Sequence, residues 1–256
     1  MYFEMTLDKR AESEQEGRIY DAFSRHYDLF QGELSKITWD QGIVSEIQAT
    51  LRKEGRVFDA GAGTGIGARC LKAVGHFHIT SCDQNRLMLA QAKDVSDEIL
   101  QADLSCLPTL PVKFDFIVSG NDALNYLKPD DLGHFFCWSR QHLAKDGCLV
   151  FDYSSPKLIR DSWRSKKWKD IIGELTLAYE SHYDESLQRA EIELTCLCNG
   201  VVLWAETHQQ YALDTFDIYI LARANGLEVQ RVRNLADSNF TPESLTHLYV
   251  LTHRKK

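Results

Sequence analysis

The stretch GRVFDAGAGTGIGARCL, Gly55 to Leu71, sets a short apolar run and an acid against glycines at every second position from 61 to 67. RVFDA reads as a strand and IGARCLKAV as a helix beginning inside the glycine turn, which commits the chain to a strand–loop–helix unit. The same rhythm continues downstream. HFHITSCD is a second strand, NRLMLAQAK a helix, EILQAD a third strand, and FDFIVSG a fourth whose nearly continuous apolar run suits burial on both faces. PDDLGHFFCWSRQHLAKDG puts Leu132, Phe135, Phe136 and Leu143 on one helical face, ends at Gly147, and precedes strand five, CLVFDY. Such alternation implies right-handed crossovers and a parallel sheet covered on both sides, with ligands in the crevice beyond the strands' C-terminal ends. Upstream, DQGIVSEIQATLRKEG places Ile43, Ile47 and Leu51 at intervals of four. That spacing predicts an amphipathic helix capped by Asp40 and stopped by Gly55.

The alternation breaks after Asp152. Between about Glu174 and Leu213, three β-rich runs separated by DESL and NG predict a small antiparallel insertion. DTFDIYILARANG returns to helix. LEVQRVRNL and HLYVLTHRKK are closing strands whose link is too short for a parallel crossover, so the last strand is antiparallel. The expected architecture is α/β: a Rossmann-like seven-stranded, mostly parallel sheet with an antiparallel last strand, plus a three-stranded antiparallel insertion after strand five. The expected organisation is an N-terminal helical lid at 1–54, a cofactor-binding core at 55–170, the insertion at 171–213, and a C-terminal helix and strands at 214–256.

A chain of 256 residues accommodates one large core. No stretch approaches the ~20 apolar residues of a membrane span, and MYFEMTLDKRAESEQEGR lacks the pattern of a secretory or transit peptide, so the expected address is cytoplasmic. Seven cysteines without CxxC or zinc spacing point to reduced thiols. A formal net charge of −8 argues against nucleic acid as a partner and favours a small molecule. PKLIRDSWRSKKWKD interleaves cations with Trp163 and Trp168, a pattern that suits RNA, a substrate anion, or more simply a solvated helix with its tryptophans on the core. His76 and His78 lack a third ligand nearby, so no metal is expected. An exposed insertion offers a route to a homodimer.

Asp59, at the end of strand one and directly before Gly61, Gly63 and Gly65, would repel a pyrophosphate, and it favours a ligand carrying positive charge. The rival reading is a dinucleotide fold, because Gly63, Gly65 and Ala68 fit G-x-G-x-x-A with Asp83 about twenty residues later. Asp83 is placed to take ribose hydroxyls. Asp103 is placed to accept from an exocyclic amine, with Leu104 walling an adenine. Three acids at successive strand ends describe a cradle for a cationic nucleoside.

VFDAGAGTG, CDQNRLMLAQAK, ADLSCLP and FDFIVSGNDALNYL resemble, in order, the sequence motifs of class I S-adenosylmethionine-dependent methyltransferases. The Asp-small-Leu-Asn-Tyr-Leu run, followed by FDYSSPK, resembles a bacterial small-molecule subgroup that includes amino-sugar N-methyltransferases, and IYDAFSRHYDLF with ITWD resembles its N-terminal lid. The resemblance implies S-adenosyl-L-methionine as cofactor and S-adenosyl-L-homocysteine as product. It also implies cofactor contacts from Tyr20, Tyr27 and Trp39 in the lid, from Asp59, Gly61 and Gly63, from Asp83, Gln84 and Met88, and from Asp103, Leu104 and Asn121. Ala60, Ala62 and the KDGC turn depart modestly from the pattern.

Methyl transfer from a sulfonium is an in-line displacement, so positioning supplies most of the acceleration. For an amine acceptor that must lose a proton, Asp122, Tyr126 and His208 are the candidate catalytic residues. Asp122, Asn125 and Tyr126 share a helical spacing that predicts one side of the pocket. In the insertion, alternation places Trp204, Glu206, His208 and Gln210 on one face, and Tyr179, Ser181 and Tyr183 on one face of another run; which face roofs the acceptor stays open. The acceptor is expected to offer nitrogen first and oxygen second. The alternatives are a nicotinamide-dependent oxidoreductase and a non-catalytic S-adenosylmethionine-binding protein.

Overall fold

The computed structural model describes residues 19–164, 166–235, 239–241 and 244–254. The first eighteen residues, on which the expected address and part of the expected lid rest, lie outside that set. A helical arm leads in: after a 3-10 turn at Phe23–Arg25, α1 (Tyr27–Thr38) runs through a π-turn at Trp39–Val44 into α2 (Ser45–Ala49). The helix expected from Asp40 to Gly55 is thereby corrected at both ends. Asp40 sits inside a longer helix, paired with Lys36, rather than capping one. Ile43 and Ile47 are fully buried as the spacing required, but Leu51 is 88% exposed because the helix has already ended at Thr50. Gly55 belongs to the next strand.

That strand, β1 (Glu54–Ala60), is followed by α3 (Ile66–Val74), β2 (His76–Asp83), α4 (Arg86–Ala92), β3 (Glu98–Gln101), β4 (Phe114–Ser119), α5 (Pro129–His142) and β5 (Leu143–Ser154). Helix α5 stops at His142, not at Gly147, because β5 starts early with a register irregularity opposite Phe114 and Phe116. Gly147 lies within β5, where an added Cβ would come to 2.9 Å from the carbonyl oxygens of Phe114 and Asp115.

After α6 (Pro156–Trp163), four strands form a separate antiparallel sheet: β6 (Lys167–Ile172), β7 (Leu175–Asp184), β8 (Arg189–Cys198) and β9 (Val201–Tyr211). The insertion therefore has one strand more than the sequence pattern suggests, and its boundary precedes residue 171. The cationic stretch is not a single helix either. Its second half is β6, an edge strand whose alternation of Lys167, Trp168 and Lys169 is masked by charge. Trp168 stacks on Tyr179 at 4.5 Å and contacts Trp163 at 5.1 Å, so both tryptophans serve packing. Asn199 and Gly200 both have positive φ (49° and 81°) and close the β8–β9 hairpin, as their sequence demands.

The chain then forms α7 (Thr215–Ala224), whose first turn is capped by Asp214 accepting from the Asp217 N–H at 2.8 Å, and ends with β10 (Leu227–Asn234) and β11 (Thr246–His253). The main sheet has seven strands in the order β10-β11-β5-β4-β1-β2-β3. β1 to β5 run parallel, and β11 is antiparallel to both β5 and β10. Period two divides its side chains between two cores: Phe58, Ile117 and Leu149 pack with α5 and α7, and Val57, Phe116 and Val118 with α2 and α3. A third cluster joins the inner face of the small sheet to Phe23, Tyr20 and Tyr27 of the arm. Among the described residues, no helix is long and apolar enough to cross a membrane.

Candidate active site

The strand order reverses between β1 and β4, and a cavity of ≈ 310 Å³ opens beyond their C-terminal ends. Its floor is the glycine turn. Gly61 (φ 74°) leaves no room for a side chain, since a Cβ would meet that of Ala123 at 2.7 Å, whereas Gly63 (φ 55°) has open space where its Cβ would be. Gly65 (φ 84°) starts α3 with its backbone against Ala92, 2.9 Å from where a Cβ would be. Only glycine satisfies the backbone and the packing there together.

Asp83, ending β2, accepts from the Gly63 N–H at 2.9 Å and the Asn85 N–H at 2.8 Å, which ties the turn to the neighbouring strand. Burial raises its pKa against the pull of those donors. Gln84, Met88, Asp103, Leu104 and Asn121 complete this wall. Asp103 Oδ1 accepts from the Ser105 N–H at 2.8 Å, which holds the Leu104 turn. Asp59 is placed differently: it is fully buried outside the cavity lining, and neither carboxylate oxygen has a hydrogen-bond partner among the described residues. Burial, with the charge of Asp83, pushes its pKa up to about 8.

Trp39 reaches the cavity from the π-turn, a local widening that re-aims one side chain. Its ring occupies the space left by Gly67 and Gly120, whose Cβ positions would fall 2.3 Å and 2.7 Å from it. That explains the fourth glycine of the opening run. Ile19, Tyr20 and Tyr27 close the cavity from the arm. Asn85 secures this closure by donating to the Ile19 carbonyl at 2.9 Å and to Asp21 at 2.8 Å.

The opposite wall carries a chain of polar contacts. The hydroxyls of Tyr20 and Tyr126 lie 2.8 Å apart, Tyr126 lies 3.1 Å from His208 Nδ1, and His208 Nε2 lies 3.3 Å from Glu206. Burial drives the phenol pKa values of Tyr20 and Tyr126 well above their ordinary range. Glu206 goes the other way: burial raises it, but hydrogen bonds from His208 and from the Phe23 and Ala22 N–H groups hold it below the usual carboxylate value. The face bearing Glu206 and His208 is thus turned inward. Tyr20 and Tyr126 line the cavity, and His208 stands behind them.

Asp122 also stands behind the lining. It has left-handed backbone (φ 50°), followed by a 3-10 turn at Ala123–Tyr126, so the helical spacing expected for Asp122, Asn125 and Tyr126 does not hold. Asn125 is fully buried and points away, donating to the carbonyls of Ser154 and Tyr211 and accepting from Ser154 N–H, a pin between β5 and β9. Asp122 Oδ2 accepts from Gln210 at 2.9 Å, and its N–H donates to Asp152 at 3.0 Å. Burial pushes Asp122 up to about 6; burial and the nearby Asp122 push Asp152 up to about 7.

The residues present fit a cationic nucleoside: an orphaned buried carboxylate beneath the glycine turn, open space over Gly63, and a strand-end carboxylate on the cavity wall. Sequence reasoning missed Ile19, Lys128, Asp131, Gln209 and Tyr211 in the lining, and Asp152 behind it. Gln209 and Tyr211 were findable only as the opposite parity of β9, and nothing local marks the others.

Residues 57–147 match the methyltransferase-domain family. Over 223 residues the chain is 26% identical to "Putative methyltransferase YqeM" of Bacillus subtilis, covering 84% of this chain and 88% of that protein. A S-adenosylmethionine-dependent methyltransferase from Clostridium acetobutylicum superposes with a TM-score of 0.79 at 19% identity, over 92% of this chain and 99% of that one. An amino pentose methyltransferase from Micromonospora echinaspora superposes with a TM-score of 0.69 at 18% identity, over 90% and 97% of the two chains. Both likenesses are of fold.

Proposed function

We propose that this chain is a class I, S-adenosylmethionine-dependent methyltransferase that methylates an amine nitrogen of a small molecule. The observation that carries the reading is the wall facing the glycine turn, where two cavity-lining phenols are backed by an imidazole, a carboxylate and the buried acid pair Asp122 and Asp152. Buried acids favour a cationic visitor, and an amine is cationic at neutral pH whereas a hydroxyl is not. The amino pentose methyltransferase of the same fold supports the same class.

When bound, S-adenosylmethionine supplies an electrophilic methyl group on a sulfonium. Asp83 and the Gly61–Gly63 backbone would hold the nucleoside, with Leu104 and Asp103 at its base and Asp59, raised to about 8, below the turn, where a cationic group bound above it would favour its ionised form. Tyr20, Tyr27 and Trp39 shut the cavity against water, and exclusion of water strengthens each electrostatic contact inside. Tyr126 and Tyr20 orient the acceptor nitrogen, and Asp122 orients Tyr126 through Gln210. Positioning is the main contribution, with proton removal a second. The partner is a small-molecule acceptor, not nucleic acid or membrane.

The test is direct: methyl-labelled S-adenosylmethionine with amino sugars and with their hydroxyl counterparts, read by mass spectrometry. Label on nitrogen is expected. Label confined to oxygen would transfer the assignment to hydroxyl acceptors, and cofactor binding without transfer to either set would favour the non-catalytic reading.

A further inference from the structure

The geometry points to Glu206 as the latch of the N-terminal arm and, through the same carboxylate, as the residue that sets the direction of a proton path complete only while the arm is shut. The chemical half of this inference rests on the amine reading above. Glu206 lies on β9, yet it accepts from the backbone N–H groups of Tyr20 (3.1 Å), Ala22 (2.6 Å) and Phe23 (3.0 Å), all on the arm. No other carboxylate among the described hydrogen bonds gathers three consecutive-region N–H donors from another element. Tyr20 has φ 73°, a conformation a tyrosine adopts only when its surroundings hold it there.

An ionised carboxylate only accepts, so His208 Nε2 must carry the hydrogen it directs at Glu206. A neutral imidazole has a single N–H. His208 Nδ1 therefore offers a lone pair to Tyr126, whose hydroxyl must donate to it. The other groups at the Tyr126 oxygen must then donate: the Gln210 amide, which also donates to Asp122, and the Tyr20 hydroxyl. With the Tyr20 proton committed to Tyr126, the Tyr20 oxygen presents only lone pairs to the cavity. One negative charge, at the far end of a path of four residues, fixes what the substrate must bring, namely an N–H or O–H donor.

One proton leaves the acceptor's ammonium nitrogen for the Tyr20 oxygen, the Tyr20 proton passes to Tyr126, and the Tyr126 proton passes to His208 Nδ1. The lone pair so freed forms the new C–N bond while the C–S electron pair stays on sulfur, and the N-methylated product keeps the positive charge. The balance is one N–H bond broken on the acceptor and one N–H bond formed on His208, leaving an imidazolium beside Glu206. Because Tyr20 sits on the arm, opening breaks the path and exposes His208 to water, which takes the proton.

The test uses full-length protein with S-adenosylhomocysteine and ¹⁵N-labelled histidine, His208→Asn assigning the resonance. Nε2–H is the tautomer expected in the parent protein. Glu206→Gln should lose that pure signature, speed amide exchange at residues 20–23 by about tenfold or more, and lower turnover by about a hundredfold, the scale of lost acid–base assistance. Tyr20→Phe should lower turnover while leaving both the tautomer and the exchange protection in place, which separates path from latch. Circular dichroism and thermal melting serve as folding controls. An Nδ1–H tautomer in the parent, or unchanged exchange at 20–23 in Glu206→Gln, overturns the proposal. Neither readout needs the methyl acceptor, so a wrong acceptor class leaves them intact and shows only in the labelling experiment.

Discussion

On the glycine side of the cavity, Asp59, Asp83 and Asp103 each stand at or just beyond the end of a main-sheet strand, within 45 residues of one another. On the other side, Tyr20, Tyr126, Glu206 and His208 come from the arm, a turn after β4 and the small sheet. Their contacts between elements span sequence separations of 82 to 186. The first wall is a property of one fold repeat, whose glycines and strand ends prescribe the position of each carboxylate. The second exists only once three pieces distant in sequence have met. Its parts are held by hydrogen bonds between elements rather than by a backbone motif, which is the construction expected of a wall that must open.

If the walls divide the work, substitutions should divide their effects. The largest is expected from Asp83→Ala, which removes the acceptor for the Gly63 and Asn85 N–H groups as well as the proposed ribose contact. Calorimetric affinity for S-adenosylmethionine should fall by about a thousandfold, roughly 4 kcal/mol at about 1.4 kcal/mol per decade, and near-normal affinity would sink the ribose assignment. Tyr126→Phe should act on the other wall, cutting kcat by about a hundredfold while cofactor affinity stays within about threefold. The reverse pattern in steady-state and binding measurements would break the comparison.

Asp122→Asn should follow with about tenfold in kcat, because the amide still accepts from Gln210 but lacks the charge. A larger loss of cofactor affinity than of turnover would move Asp122 to the cofactor wall. Smallest is the effect of Asp59→Asn on the ligand-free protein. With the native pKa raised to about 8 against about 3.9 unfolded, the native state binds the extra proton. Stability from this group is therefore present at low pH and is lost as pH rises from about 4 through 8. Asp122 and Asp152, pushed to about 6 and 7, add to the same downward slope. Asp59→Asn should flatten it and raise Tm at pH 8 by at least a few degrees, with the smallest change at the acid end of the range. An unchanged Tm difference between pH 5 and pH 8 would show that Asp59 does not carry that proton.

Legibility in the sequence followed the same division. The strand–turn–helix boundaries of β1, α3 and β2 are local, set by burial alternation and by glycines that admit positive φ, and the sequence pattern placed them to within two residues. Helix ends were harder. Asp40 looked like a cap because its side chain can be one, but a helix already running from Tyr27 makes the cap unnecessary. β6 escaped notice because edge strands carry lysines, which blur the alternation of apolar residues. Tyr126 and His208 were recognisable as chemically able side chains. That they are joined, and joined through Glu206 to the arm, was not, since the fold of the small sheet and its docking decide which parity of β9 faces inward.

The sequence by itself determined the alternating α/β core, the glycine turn between β1 and α3, and the acids at the strand ends, because each follows from interactions within a few residues or from a period of two. Only the tertiary structure decided that Asp59 is sealed beneath the turn without a hydrogen-bond partner among the described residues, that Trp39 fills the space left by Gly67 and Gly120, and that Glu206 accepts from three N–H groups of the arm. Those are contacts between distant segments, and their existence depends on packing geometry that no local pattern encodes.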